Sequence, residues 1–363
     1  MTEFSRRALL KTGVAAAGVS LFNINHAWSQ DVTWDGQPFD ARGATLRIGN
    51  WGGIWADTQR KLLLDQFEKD YNCKVQYDST WPWFPKFVAN GPKSPALDLT
   101  NWNIPEMTKT ARAGDFFLPV EELVATLPNA SNLWDFSTRT GIGITWAFSR
   151  YCYVYRTDTG TPVPTEFKDF WKEEFAGKRG TYITSNTLQM AFLMASAQNF
   201  GSGETDWEAG FEAMKEAMPM KISDFTGNMT TLVERGEVTI AVQNDAEAWL
   251  QAEKGIPVGT MLWENPKTVL TQTQTVSRYA EPTQKKLAFA LLNGFLAADY
   301  QTAFANEFWM RPTNKDAVIP EKLAKFGAVN SADATADLHI PDWNAYLENE
   351  DDIVEIVNGI FSS

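Results

Sequence analysis

Histidine is almost missing from this 363-residue chain: His26 and His339 are the two it has. His26 falls in a leading segment that is expected to be removed, and a Ser-His or Cys-His mechanism cannot easily be built on the one histidine left near the C-terminus, while a zinc site would be short of ligands. Cysteine is equally scarce. Cys73 and Cys152 fall in segments that read as strands, and they are expected to be two buried free thiols, with a disulfide as the alternative in an oxidising compartment. No apolar run is long enough to cross a bilayer. Basic residues are in deficit, 32 Lys and Arg against 45 Asp and Glu, for a net charge of −13. That balance argues against nucleic acid or an anionic membrane as partner.

The first residues read "MTEFSRRALLKTGVAAAGVSLFNINHAWSQ". A basic zone with adjacent Arg6 and Arg7, a short apolar zone from Val14 to Phe22, and small Ala27 and Ser29 follow in the order of an export signal. The paired arginines resemble the twin-arginine type. Residues 1–29 are therefore expected to be removed, which places the protein outside the cytoplasm. Losing Arg6, Arg7, Lys11 and Glu3 leaves 29 basic and 44 acidic residues, a net charge near −15.

Tryptophan is abundant. There are fifteen, more than core filling needs, and an indole N–H wants a partner when buried. Such an excess points to an aromatic-lined site. Along the chain, "TLRIG", "CKVQYDST" and "ALDLTNW" read as strands separated by helices, with Leu63, Phe67 and Tyr71 recurring at helical spacing. The βαβαβ order implies a parallel sheet covered by helices. Gly141–Asp158 is β-rich and too long for one ordinary strand, so it is expected to pass from one lobe to another. "VLTQTQTVSRY" alternates and is the candidate for the return crossing.

The stretch "LRIGNWGGIWADTQRKLLLDQFEKDYNCKV" resembles the opening of extracellular solute-binding proteins of ABC importers, in the spermidine/putrescine-type branch. "PTEFKDFWKEEFAGKRGTYI", "LVERGEVTIAVQND" and "RPTN" are similar, in order, to later segments of that family. The resemblance implies an α/β protein of two lobes joined by two crossing strands, with the ligand in the cleft between them. Lobe 1 is expected over 45–145 plus about 272–310, lobe 2 over about 146–271, and a C-terminal helical segment over 311–363 packing on both.

The resemblance places cleft residues just after strands. The candidates are Asn50, Trp51, Gly52, Gly53 and Trp55; Thr80, Trp81 and Trp83; Asn101, Trp102 and Asn103; and Trp146 in the crossing. The second lobe offers Ser185, Asn186 and Thr187, then Asn244, Asp245 and Glu247, then Trp263 and Glu264, with Gln272 and Gln274 on the return. Trp81 and Trp83 alternate around Pro82 and are expected to point the same way, into the cleft or into the core. Asp245 is expected foremost to cap the helix that follows it. Glu247 reads either as a cleft acid or as a solvated helix residue.

Indole faces attract cations, and carboxylates bind ammonium groups with charge-assisted bonds. Polyamine binders carry an aromatic and a carboxylate on the return crossing, where this chain has Gln272 and Gln274. The free N–H groups of the helix starting near Ala56 suggest a ligand carboxylate. Together these features favour a small zwitterion, such as an opine or a betaine, beside a polyamine-like cation. Tyr151, Tyr153 and Tyr155 are spaced by two, unlike the adjacent tyrosines of iron-binding relatives. The expected function is a monomeric periplasmic binder, without cofactor, that hands its ligand to the membrane subunits of an ABC importer. The alternatives are an enzyme on the same scaffold and a ligand sensor for a membrane receptor.

Overall fold

The computed structural model describes residues 32–363, so the export-signal segment lies outside the described residues. Nine strands carry the architecture. β1 (Thr45–Gly49), β2 (Lys74–Asp78) and β3 (Leu99–Trp102) pair in parallel in the order β2-β1-β3. β5 (Arg179–Tyr182), β6 (Met220–Ser223) and β7 (Ile240–Asn244) form a second parallel set, in the order β7-β5-β6. β4 (Ile144–Arg156) and β9 (Lys267–Val276) run between the sets. β8 (Val258–Leu262) adds antiparallel to the end of β4.

The Gly141–Asp158 stretch is thus one long strand with two jobs. Its first half, Ile144–Arg150, pairs with β9, and its second half, Tyr151–Tyr155, pairs with β7. A register irregularity between Thr145 and Ala147 kinks the first half. β9 continues onto β3, through Leu99↔Val276 to Trp102↔Thr273. The two parallel sets are therefore connected by the β4–β9 pair, and the fold is α/β with two lobes.

The helices start and stop where local chemistry directs. Gly53 has φ +63 and ψ −140, a backbone that side-chain-bearing residues avoid, and helix begins at Ile54. It runs through Gln59, a wide turn at Arg60–Leu64, and Asp65–Asp70. Helix Thr187–Phe200 is buried on nearly every side, and the Asn186 side chain accepts from its Leu188 N–H. Helix Asp245–Glu253 is capped by Asn244, which accepts from the Glu247 N–H at 3.2 Å. Asp245 is not the cap, because its carboxylate is turned inward. Two short helices close the chain: Trp343–Glu348 lies on Ile104–Ala113, and Glu350–Phe361 on Trp207–Ala217.

Asp245 is fully buried, and its Oδ2 meets the buried Arg311 guanidinium at 2.6 Å. Its Oδ1 accepts from the Arg150 N–H at 3.0 Å. Arg311 also lies over the Trp249 ring, 4.7 Å from its centroid. One carboxylate thus ties the middle of β4 to a helix and to the chain after Phe308. Cys73 and Cys152 are both buried free thiols, and burial pushes each thiol above its ordinary pKa, Cys73 to about 11.

Removing one partner of a buried ion pair strands the other charge. Arg311→Met is expected to cost about 3–5 kcal/mol in urea unfolding. Adding Asp245→Asn, which keeps an acceptor for Arg150, should recover much of that loss. A loss below ~1 kcal/mol for Arg311→Met would show that the pair carries little.

Candidate functional site

A cavity of about 400 Å³ opens where the strands end. Trp51 and Trp55 come from the loop after β1, Asn103 from the loop after β3, and Ser185, Asn186 and Thr187 from the loop after β5. Asp224, Phe225 and Thr226 follow β6, and Asn244 and Glu247 close β7 and open the next helix. The crossing strands supply Ser149, Leu270 and Gln272, and Phe308 and Met310 complete the wall. Ligands of open α/β sheets lie at these carboxyl ends.

The tryptophan wall is held by buried amides. Asn50 is 2% exposed, and its Oδ1 accepts from the Trp51 N–H at 2.9 Å and the Trp55 Nε1 at 3.0 Å. Its Nδ2 donates to Gln59 at 3.1 Å. The Tyr77 hydroxyl donates to the Trp51 carbonyl at 2.7 Å. From the crossing strand, Gln272 Oε1 accepts from the Trp51 indole at 2.6 Å and from Asn101 Nδ2 at 2.7 Å. Asn101 Oδ1 in turn accepts from the Trp146 indole at 2.8 Å. Trp51 packs against Trp83 with centroids 5.1 Å apart, and Trp55 packs against Phe304 and Phe308 at 4.7 Å each. Both rings are fixed before any ligand arrives, which lowers the entropic cost of binding.

The cavity brings together Trp51, Trp55, Trp81, Asn103, Ser185, Asn186, Asn244 and Gln272, with Thr187 and Glu247 beside them. Other predicted residues fall elsewhere. Asn50 and Asn101 stand behind the wall as supports. Gly52, Gly53 and Thr80 are exposed and do not border the cavity. Trp83, Trp102, Trp146 and Trp263 are core side chains, between 0% and 1% exposed. Trp102 bonds Thr275 at 2.8 Å, and Trp263 stacks on Tyr151 at 5.4 Å. Asp245 is consumed by Arg311. Glu264 is mostly exposed and pairs with Arg150 at 3.1 Å. Gln274 is buried beyond the cavity's reach, two residues past Gln272 on the same strand face.

Trp81 and Trp83 do not point the same way. Trp83 already has helical backbone angles, so the segment is not extended there. Trp83 turns into the core, while Trp81 stands 47% exposed at the cavity and bonds Glu106 through its indole. The helix start after Gly53 is no carboxylate site either. Its first residue, Ile54, is 76% exposed and lies outside the cavity lining.

The missed residues have two origins. Asp224, Phe225 and Thr226 follow β6, a four-residue strand whose "MKIS" shows no clear alternation. Once that strand is recognised, the same after-strand rule finds them. Phe308 and Met310 belong to no strand end, and no local signal marks them.

The cavity's charge is one-sided. Asp224 and Glu247 are its ionisable lining residues, and no Lys, Arg or His borders it. Asp224 accepts from Phe225 N–H at 2.9 Å and Asn228 Nδ2 at 2.6 Å, bonds that lower its pKa, the Asn228 bond most. Among the described residues, the Glu247 carboxylate has neither ion-pair nor hydrogen-bond partner. Burial raises its pKa, and the charge of Lys254 offsets this only in part.

Comparison with known proteins agrees with this arrangement. Residues 62–330 match the family of bacterial extracellular solute-binding proteins. Curated protein sequences yield no match. The chain is similar in structure to an ABC transporter protein from Clostridium perfringens, with 20% identity, TM-score 0.72, and coverage of 87% of this chain and 99% of that one. It is also similar to the spermidine/putrescine ABC transporter substrate-binding protein PotD of Streptococcus pneumoniae, with 16% identity, TM-score 0.66, and 88% and 100% coverage. A third similar structure is the binding protein AgtB of A. tumefaciens in complex with agropinic acid, with 16% identity, TM-score 0.66, and 88% and 99% coverage. The chain belongs to the bacterial extracellular solute-binding protein family.

Proposed function

We infer that the protein captures a small organic cation in this cleft, in the periplasm, and delivers it to the membrane subunits of an ABC importer. One observation carries the reading: five aromatic rings and two carboxylates line the cavity, and no basic side chain does. Each ring face is worth roughly 0.5–2 kcal/mol to a desolvated cation. The unpaired Glu247 adds a charge-assisted partner. A ligand carboxylate would find no cationic side chain here, so a net positive ligand, such as a polyamine or a quaternary ammonium, is favoured over an opine or another zwitterion. Gln272 Nε2 remains to donate to a ligand hydroxyl or carbonyl.

An enzymatic role finds less support. His339 pairs with Glu204 at 2.7 Å and does not border the cavity. A sensor would use the same closing cleft. Gene deletion separates the two: loss of cation uptake supports import, whereas intact uptake with a lost response supports sensing.

Glu247 gives the reading two opposite consequences. Its pKa is raised in the folded protein, so the ionised form opposes folding, and stability is lost as pH rises through that pKa. Glu247→Gln should therefore raise the unliganded melting temperature at neutral pH, by about 2 °C. The same change should weaken cation binding by about tenfold or more. In the wild type, cation affinity should fall as pH drops through the raised Glu247 pKa, and titration calorimetry in the variant should show that dependence flattened. A variant that binds cations as the wild type does would remove Glu247 from the site. Trp51→Ala should likewise abolish ligand-induced thermal stabilisation while leaving the fold intact by circular dichroism.

A further inference from the structure

A second cavity of about 290 Å³ adjoins the first. Trp81, Asn103, Ser185 and Thr187 border both, so the two chambers share a throat. The chambers differ in chemistry. Proline rings, Phe84, Met190, Leu347 and Val354 supply the apolar walls of the second. It also has charged neighbours, but their charges are engaged. Lys109 is bound to Glu350 at 2.6 Å. Glu106 accepts from the Trp81 indole and from the N–H groups of Trp83 at 2.9 Å and Phe84 at 3.1 Å. The first chamber holds an unpaired carboxylate, and the second holds none.

We propose that the ligand is two-ended: a cationic head in the first chamber and an uncharged apolar arm passing Trp81 into the second. The inference rests on the cation reading of the first chamber. A simple diamine would place its second ammonium against apolar walls where every acid is already engaged, and an aryl or branched alkyl arm would bury its surface there. The two chambers together fall within the roughly 300–1,000 Å³ that small-molecule sites span. Five parts of the fold surround the arm: the loop and helix after β2, helix Ile104–Ala113 after β3, the loop and helix after β5, helix Trp343–Glu348 through Leu347, and the C-terminal helix Glu350–Phe361.

The test compares two probes by titration calorimetry, tetramethylammonium and its phenylpropyl-extended analogue, phenylpropyl-trimethylammonium. The extended probe should bind the wild type at least about tenfold more tightly, the smallest gain expected from burying a ring. Met190→Trp fills the second chamber and should collapse that ratio towards one. Val354→Trp fills it from the C-terminal helix Glu350–Phe361 and serves if the first variant fails to fold. A ratio near one in the wild type, with both probes binding, overturns the two-ended ligand and leaves the cation reading standing. A ratio that survives in both filled variants also overturns it. Binding of neither probe overturns the cation reading and the inference with it.

Discussion

The pairing of β4 with β9 is the constraint on which this structure hangs. β4 spends its first half against β9 and its second half against β7 and β8. Each parallel set is built outward from that pair. Asp245 reinforces this junction at the middle of β4, where its oxygens reach both the strand and Arg311. The cavity sits over this junction, with Ser149 and Gln272 of the two crossing strands in its lining.

The site shows what a binder spends on preorganisation. Polar atoms that would be costly to bury are joined in short chains, Trp146 to Asn101 to Gln272, and Trp55 to Asn50 to Gln59. These chains set Trp51 and Trp55 in place beside the cavity. Glu247 is the exception. It is kept without a partner in a setting that raises its pKa, a strained choice of the kind that functional sites retain. Under the proposed function, a lining without basic side chains leaves that unpaired carboxylate to act on a cation. Under that function, stability and binding therefore pull this residue in opposite directions.

Much of this was legible in the sequence. "TLRIG" reads as a strand and is β1, residue for residue. Gly114, Gly201 and Gly255 end helices where the glycines predict. The alternation in "VLTQTQTVSRY" marks β9, which ends at Val276, and the after-strand rule finds nine cavity residues, to which the return crossing adds Gln272. What was not legible is the side of the sheet on which a bulky residue lands. Trp102 lies between Asn101 and Asn103 and so must face away from both, a period-2 consequence that puts it in the core. Trp146 and Trp263 are buried by partners distant in sequence, Phe304 and Tyr151 among them. Asp245 could not be told from a helix cap without Arg311, 66 residues on, at its side. The strand β6 is too short to announce itself, and with it went Asp224 and Phe225.

The proposed function requires the cleft to select positive charge. The most direct measurement is a thermal-shift screen of the purified protein against four ligand classes at matched concentrations: organic cations, zwitterions, organic anions and neutral sugars. Stabilisation should be confined largely to the cations and grow with the logarithm of their concentration above the dissociation constant. Stabilisation by an anion or a neutral sugar, with every cation inert, would contradict that function.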